Sequence, residues 1–216
     1  DLHRPYTLSK DSKSRGSGFI IKSSPEKILI MTNAHVIKDA KNILVRTEQT
    51  KSLDLRANVL GICDYKDLAI IEIDKSDIKK LNPLPNSLKF SDNRNVMDSI
   101  PVLVVGYPLG MENIKYTTGV LSGNQTEYSY TIDRHISFLQ ISAPVNAGNS
   151  GGPLINSNGE VIGVNSAGID SSQNIAYAIP THTIITVFND LLDISRLVVN
   201  TPHWGFRYNT TTSTFE

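Results

Sequence analysis

Short apolar runs broken by turn residues fill almost the whole of this sequence. "SGFIIKS", "KILIMT", "NILVRTE", "RANVLGI" and "LAIIEID" occur before residue 75, and "IPVLVVGY", "KYTTGVLSG", "ISFLQIS", "GPLIN", "EVIGVNS" and "NIAYAIP" lie between 100 and 180. Each run has the length of a strand, and runs at this spacing predict an all-β barrel or sandwich architecture. Residues 79–95, "KKLNPLPNSLKFSDNRN", lack periodicity and carry two prolines, so they read as the connection between two β lobes. Asn158-Gly159 between two apolar strands predicts a hairpin. Beyond Thr181, an expected N-cap, residues Ile184, Ile185, Val187, Phe188, Leu191 and Leu192 recur at helical spacing. They predict one amphipathic helix over about 181–193.

The chain of 216 residues is long enough for one large domain or a two-lobed unit with its own core. Lys+Arg and Asp+Glu both number 21, so nothing in the charge balance points to nucleic acid or another polyanion. No apolar run approaches the roughly 18 residues of a membrane span. The single cysteine, Cys63, permits no intrachain disulfide, which excludes a disulfide-stapled secreted protein and leaves organellar, cytoplasmic and periplasmic settings open. Cys63 ends a half-buried strand pattern and reads as packing. No Cys-x-x-Cys or His-x-x-Cys pair and no phosphate-binding loop is present, so neither metal nor cofactor is expected.

One segment stands apart from the strands. "VNAGNSGGPLIN", residues 145–156, sets Gly148, Gly151 and Gly152 around Ser150. Glycine weakens a strand or helix interior by roughly 0.5–1 kcal/mol relative to alanine, so such a cluster needs a geometric reason. A tight turn that aims backbone N–H groups at an oxyanion beside a serine supplies one. A serine hydroxyl becomes a nucleophile only when an imidazole takes its proton and a third group orients that imidazole. Among the five histidines, His3 and His203 lie in polar end segments, His135 in a charged stretch, and His182 at the helix start. His35 directly follows the apolar strand of "LIMTNAHVI", which would bury its base and leave its end at a rim. Thirty-two residues on, "CDYKDLAIIEI" offers two aspartates. Asp67 is favoured over Asp64 because it immediately precedes a buried strand. The chain order His, Asp, Ser is that of chymotrypsin-type proteases.

"TNAHV", "DLAIIEI" and "GNSGGPL", with "GSGFII", "VVGYPLG" and "NIAYAIP", resemble the trypsin-like protease domain of the HtrA/DegP (Deg) family over roughly residues 15–195. Tyr107 in the "GYPLG" element is similar to the Deg9-like branch. The resemblance implies two six-stranded β-barrels of chymotrypsin type, about 15–80 and 95–180, with the site at their junction. It implies His35 as general base and then acid, Asp67 as its orienter and Ser150 as nucleophile. Gly148 and Ser150 would supply the oxyanion N–H groups, with Asn149 holding the turn. It further implies unfolded or misfolded proteins as substrates in protein quality control. The expected assembly is a trimer, or larger cages of trimers, joined through residues 1–14, with Tyr6 at the contact. A protease-fold chaperone that binds unfolded chains with little cleavage is the alternative reading.

This chain departs from the family pattern in "QISAPVNAGNS", where Ser142 and Pro144 stand in place of an Asp-Ala-Ala-type stretch. Pro144 occupies the place six residues before Ser150, where digestive trypsins bury an aspartate. With Pro144, Val145 and Val164 as apolar lining, and Asn165 and Ser166 on the following strand, the pocket should favour small or medium aliphatic residues. Asp170 is the acid that would overturn this by reaching the pocket from the loop after Gly168. Residues 196–216 read as a docked tail or the first strand of a further PDZ module, with Trp204-Gly205-Phe206 as that strand. "GNSGG" also matches the nucleophile elbow of α/β-hydrolases, but Pro153 leads into a hairpin where that fold needs a helix.

Overall fold

The computed structural model describes residues 14–50, 53–92, 98–129, 134–166, 175–193, 195 and 197–199. Tyr6, His3, His203, Asp170 and Trp204-Gly205-Phe206 lie outside the described residues. The N-terminal lobe contains β1 (Phe19–Ser23), β2 (Ile28–Thr32), the one-turn helix α1 (Ala34–Ile37), β3 (Ile43–Val45), β4 (Leu55–Cys63), β5 (Leu68–Ile73) and the short helix α2 (Lys75–Ile78). The C-terminal lobe contains β6 (Pro101–Gly106), β7 (Lys115–Ser129), β8 (Arg134–Ile141), β9 (Pro153–Ile155), β10 (Val161–Ser166), β11 (Ala176–Pro180) and the helix α3 (Thr181–Leu192).

Every apolar run quoted above overlaps one of these strands, and the two lobes differ in closure. In the C-terminal lobe β10-β11-β8-β7-β6-β9 form a closed six-stranded barrel. In the N-terminal lobe, five strands in the order β1-β2-β5-β4-β3 form a sheet, in place of a second six-stranded barrel. Its short final strand β3 pairs only with β4, over three residues, among the described residues.

Alternation along the strands explains why several runs are apolar at nearly every position. Leu29 and Met31 of β2, with Leu68 and Ile70 of β5, face a core shared by both lobes. Their neighbours Ile28, Ile30, Ala69 and Ile71 face a second core on the opposite side of the sheet. In the barrel, Ile162, Ala176 and Ala178 point to the interior, whereas Val161, Val164, Tyr177 and Ile179 turn to the shared core. Since successive side chains leave a strand on opposite faces, a strand between two cores needs apolar residues on both.

The helix α3 stitches the lobes together through Ile184, Val187 and Leu191, all in the shared core. Gly61 of β4 makes the approach possible, because a Cβ there would run into the Leu191 carbonyl oxygen. The expected cap is displaced by one residue: β11 runs straight into α3, Pro180 holds the N-cap position, and Thr181 is already helical. Its hydroxyl donates instead to the Val161 carbonyl at 3.1 Å. After the helix the chain returns to β4, where Ile62 N–H donates to Leu197 O and Val199 N–H to Ile62 O. The predicted hairpin closes around Asn156, whose Oδ1 accepts from the Asn158 and Glu160 N–H groups, with Gly159 at φ +78°.

Candidate active site

His35 sits on the single turn α1, directly after β2, where the apolar strand anchors one side of the turn and leaves the imidazole 44% exposed. Asp67 comes from the neighbouring strand, directly before β5, whose Ala69 pairs with Thr32 at the end of β2. Residues Asp64–Lys66 make a tight 3-10 turn, and Asp67 follows in the left-handed conformation at φ 51°, ψ 43°. Aspartate tolerates that region better than most residues, and the reversal swings its carboxylate towards α1. One oxygen accepts from the His35 backbone N–H at 2.9 Å, and both lie within reach of His35 Nδ1, at 2.9 and 2.8 Å. Asp64 faces away and pairs with Lys38 at 3.1 Å.

This pairing settles the histidine's chemistry. A carboxylate can only accept, so Nδ1 carries the proton and Nε2 is left as the acceptor. The hydrogen bond from Nδ1–H to Asp67 holds the imidazole pKa above its ordinary value; partial burial acts the other way, and the carboxylate's charge adds to the rise. Two neighbours steady the acid. Buried Asn33 donates through Nδ2 to the Asp67 carbonyl at 2.8 Å, and Ser166 Oγ donates to Asp67 Oδ2 at 3.3 Å. The Ser166 contact was not legible in the sequence, because it joins residues 99 positions apart.

Ser150 lies on the C-terminal lobe, in the turn between β8 and β9, and is 5% exposed. His35, Gly148 and Ser150 line one cavity of about 230 Å³, together with Ser14, Arg15, Val36 and Ala147. The glycines around the serine are there for space and for backbone angle. Gly148 has φ +101°, and a Cβ on it would press on the Tyr107 carbonyl and the Leu109 nitrogen. Gly151 has φ +86° and packs against Thr32, Ser17 and Asn33; Gly152 packs against the Val105 carbonyl. The serine turn is thus pressed directly onto the end of β2, just before the turn that carries His35. Asn149 is buried, and its N–H donates to Asn146 O at 2.9 Å, which closes the turn.

The residues expected to shape a specificity pocket are distributed differently. Pro144 is exposed and its carbonyl accepts from Thr117 Oγ1, while Val145 is half-buried against the barrel core. Val164 is fully buried in the shared core, and Asn165, also fully buried, donates through Nδ2 to the Pro153 carbonyl. With Ser166 bound to Asp67, all three β10 side chains point into protein. Their strand alternates between two packed faces, as the rest of the barrel does. Cys63 is likewise wholly buried, and burial pushes its thiol up to about 11 despite opposing hydrogen bonds. His182 is exposed at the start of α3, and His135 lies in β8.

A family model described as trypsin-like peptidase domain matches residues 16–164. An HtrA-like serine protease of Staphylococcus aureus is 33% identical over 203 aligned residues, covering 88% of this chain and 26% of that protein. The chain thus spans about a quarter of the length of the curated relatives it matches. The crystal structure of the serine endoprotease from Yersinia pestis superposes with a TM-score of 0.67 at 31% identity, covering 88% of this chain and 62% of that one. An HtrA-type protease solved with a tripeptide gives a TM-score of 0.68 at 27% identity, covering 84% and 56%.

Proposed function

The chain belongs to the trypsin-like peptidase family, and from that membership we propose that it is a serine endopeptidase acting through His35, Asp67 and Ser150. One observation carries the reading: the imidazole that Asp67 holds by Nδ1 opens onto the same cavity as Ser150 and Gly148. His35 Nε2 takes the Ser150 hydroxyl proton as Oγ bonds to the substrate carbonyl carbon. The same nitrogen then protonates the leaving amine as the C–N bond breaks, and water hydrolyses the acyl-enzyme by the reverse proton transfers. The N–H groups of Gly148 and Ser150 stabilise the oxyanion, with Asn149 holding the turn between them.

The substrates in this reading are unfolded or misfolded chains. Pro144 and Val145 supply the apolar wall of the specificity pocket. Val164, Asn165 and Ser166 support it from behind, through their buried side chains. The assembly in this reading is a trimer, or a larger assembly of trimers, with residues 1–14 and Tyr6 at the contact, which mass measurement in solution would test. The catalytic proposal is tested by fluorophosphonate labelling and by cleavage of an unfolded protein. Wild type should label at Ser150. Ser150→Ala should lose turnover by on the order of 10⁶-fold while keeping its fold. An unlabelled wild type that still bound unfolded chains would favour the chaperone reading.

A further inference from the structure

Ser17 is not among the residues lining the cavity, yet each of its polar atoms is engaged at the base of the serine turn. Its N–H donates to Ser150 O at 2.8 Å, and its hydroxyl donates to Gly148 O at 2.6 Å. The same hydroxyl accepts from the Tyr107 N–H at 2.9 Å, and its carbonyl accepts from Thr32 Oγ1 at 2.7 Å. The residue is 6% exposed. We infer that Ser17 is a positioning residue for the oxyanion hole, holding the serine turn so that the Gly148 and Ser150 N–H groups face the cavity. The inference rests on the endopeptidase reading above.

The argument lies in the orientation of successive peptide planes. Four consecutive carbonyls of the turn are held: Ala147 O by Leu109 N–H at 2.7 Å, Gly148 O by Ser17 Oγ, Asn149 O by Gly152 N–H at 3.0 Å, and Ser150 O by Ser17 N–H. In a trans peptide the C=O and the following N–H point in opposite directions. The bonds to Ala147 O and Asn149 O therefore direct the N–H groups of Gly148 and Ser150. The two bonds from Ser17 hold the peptides that alternate with them. The Gly148–Asn149 peptide is held on both sides, by Ser17 Oγ at its carbonyl and by the bond from its N–H to Asn146 O, and with positive φ at Gly148 the loss of the first leaves it anchored on one side only.

The surroundings are shaped to admit this side chain. A Cβ on Gly106 would come within 2.8 Å of Ser17 Oγ, and one on Gly152 within 3.2 Å of Ser17 Cβ. An alanine at 17 would leave the Gly148 carbonyl and the Tyr107 N–H without their shared partner in a buried place. It would touch neither His35 nor Asp67. Its effect should therefore fall on transition-state stabilisation and leave the acid–base pair intact.

The test compares wild type, Ser17→Ala and Ser17→Cys in fluorophosphonate labelling rate across pH, and in kcat and KM on denatured casein. Ser17→Ala should lower the labelling rate and kcat by about 10- to 100-fold, less than the loss of an oxyanion donor itself. KM should stay within about twofold, and the apparent pKa of the pH profile should not move. Ser17→Cys retains a donor, weaker and on a larger atom, and should fall between the two. A Ser17→Ala rate within about twofold of wild type would overturn the inference, as would a loss carried by KM or by a displaced pKa. If wild type itself is not labelled, the endopeptidase reading fails, and this inference with it.

Discussion

Two glycines with nearly the same backbone angle should respond very differently to a methyl group. Gly151 has φ +86° and Gly159 has φ +78°. For an alanine, the left-handed conformation alone costs about 1–2 kcal/mol. At Gly159 the cost stops there, since nothing lies within 4 Å of the added Cβ. At Gly151 the Cβ would lie far inside contact distance of Thr32 Oγ1 and the Ser17 carbonyl oxygen, and 3.0 Å from Asn33 N. The first two atoms are the partners of one buried hydrogen bond, so relief requires breaking it, at about 1 kcal/mol. Overpacking of a dense site adds about 1–3 kcal/mol. The totals are then about 3–6 kcal/mol for Gly151→Ala and about 1–2 for Gly159→Ala. At about 2–4 °C per kcal/mol for a domain of this size, thermal midpoints should differ visibly. Urea unfolding with the m-value checked measures both, and casein cleavage should be lost in Gly151→Ala and kept in Gly159→Ala. Equal destabilisation of the two variants would refute the reasoning, because it would mean that the close contacts at Gly151 cost nothing.

Since neutral His35 is the competent base and Asp67 raises its pKa, activity should be lost as pH falls through a value above that of free imidazole. In Asp67→Asn the acid limb should move down towards about 6.5, with kcat lower by on the order of 10⁴-fold, as a pH series of initial rates will show. Cleavage sites mapped on denatured casein should follow Val, Leu, Ala or Ile, because Pro144 offers no carboxylate and an unpaired buried cation costs several kcal/mol. Sites dominated by Lys or Arg would sink that expectation.

Local pattern was enough to place the strands, because the spacing of apolar residues and the turn signals between them act over a few residues. The runs "ILIM" and "LAII" show how far that went. Their unbroken apolarity announced burial, but only the packing divides them residue by residue between the shared core and the outer core of the sheet. The Ser150 glycines and the neighbourhoods of His35 and Asp67 were legible for a similar reason, since a left-handed turn or a residue at a strand end leaves a local mark. Closure was not legible. Whether β3 meets another strand edge depends on pairings distant in sequence, whose loop-closure entropy no local pattern reports. Nor were the side-chain partners. The sequence predicts a cap at Thr181 and a pocket residue at Ser166, whereas Thr181 serves the Val161 carbonyl and Ser166 serves Asp67. Ser17 opens the "SGFIIKS" run, where no local pattern gives it a partner, and reaches Gly148 across 131 positions. A hydroxyl-bearing side chain of two or three heavy atoms is compatible with almost any surface or turn. Only the tertiary structure, by burying it beside one donor and one acceptor, decides what it holds.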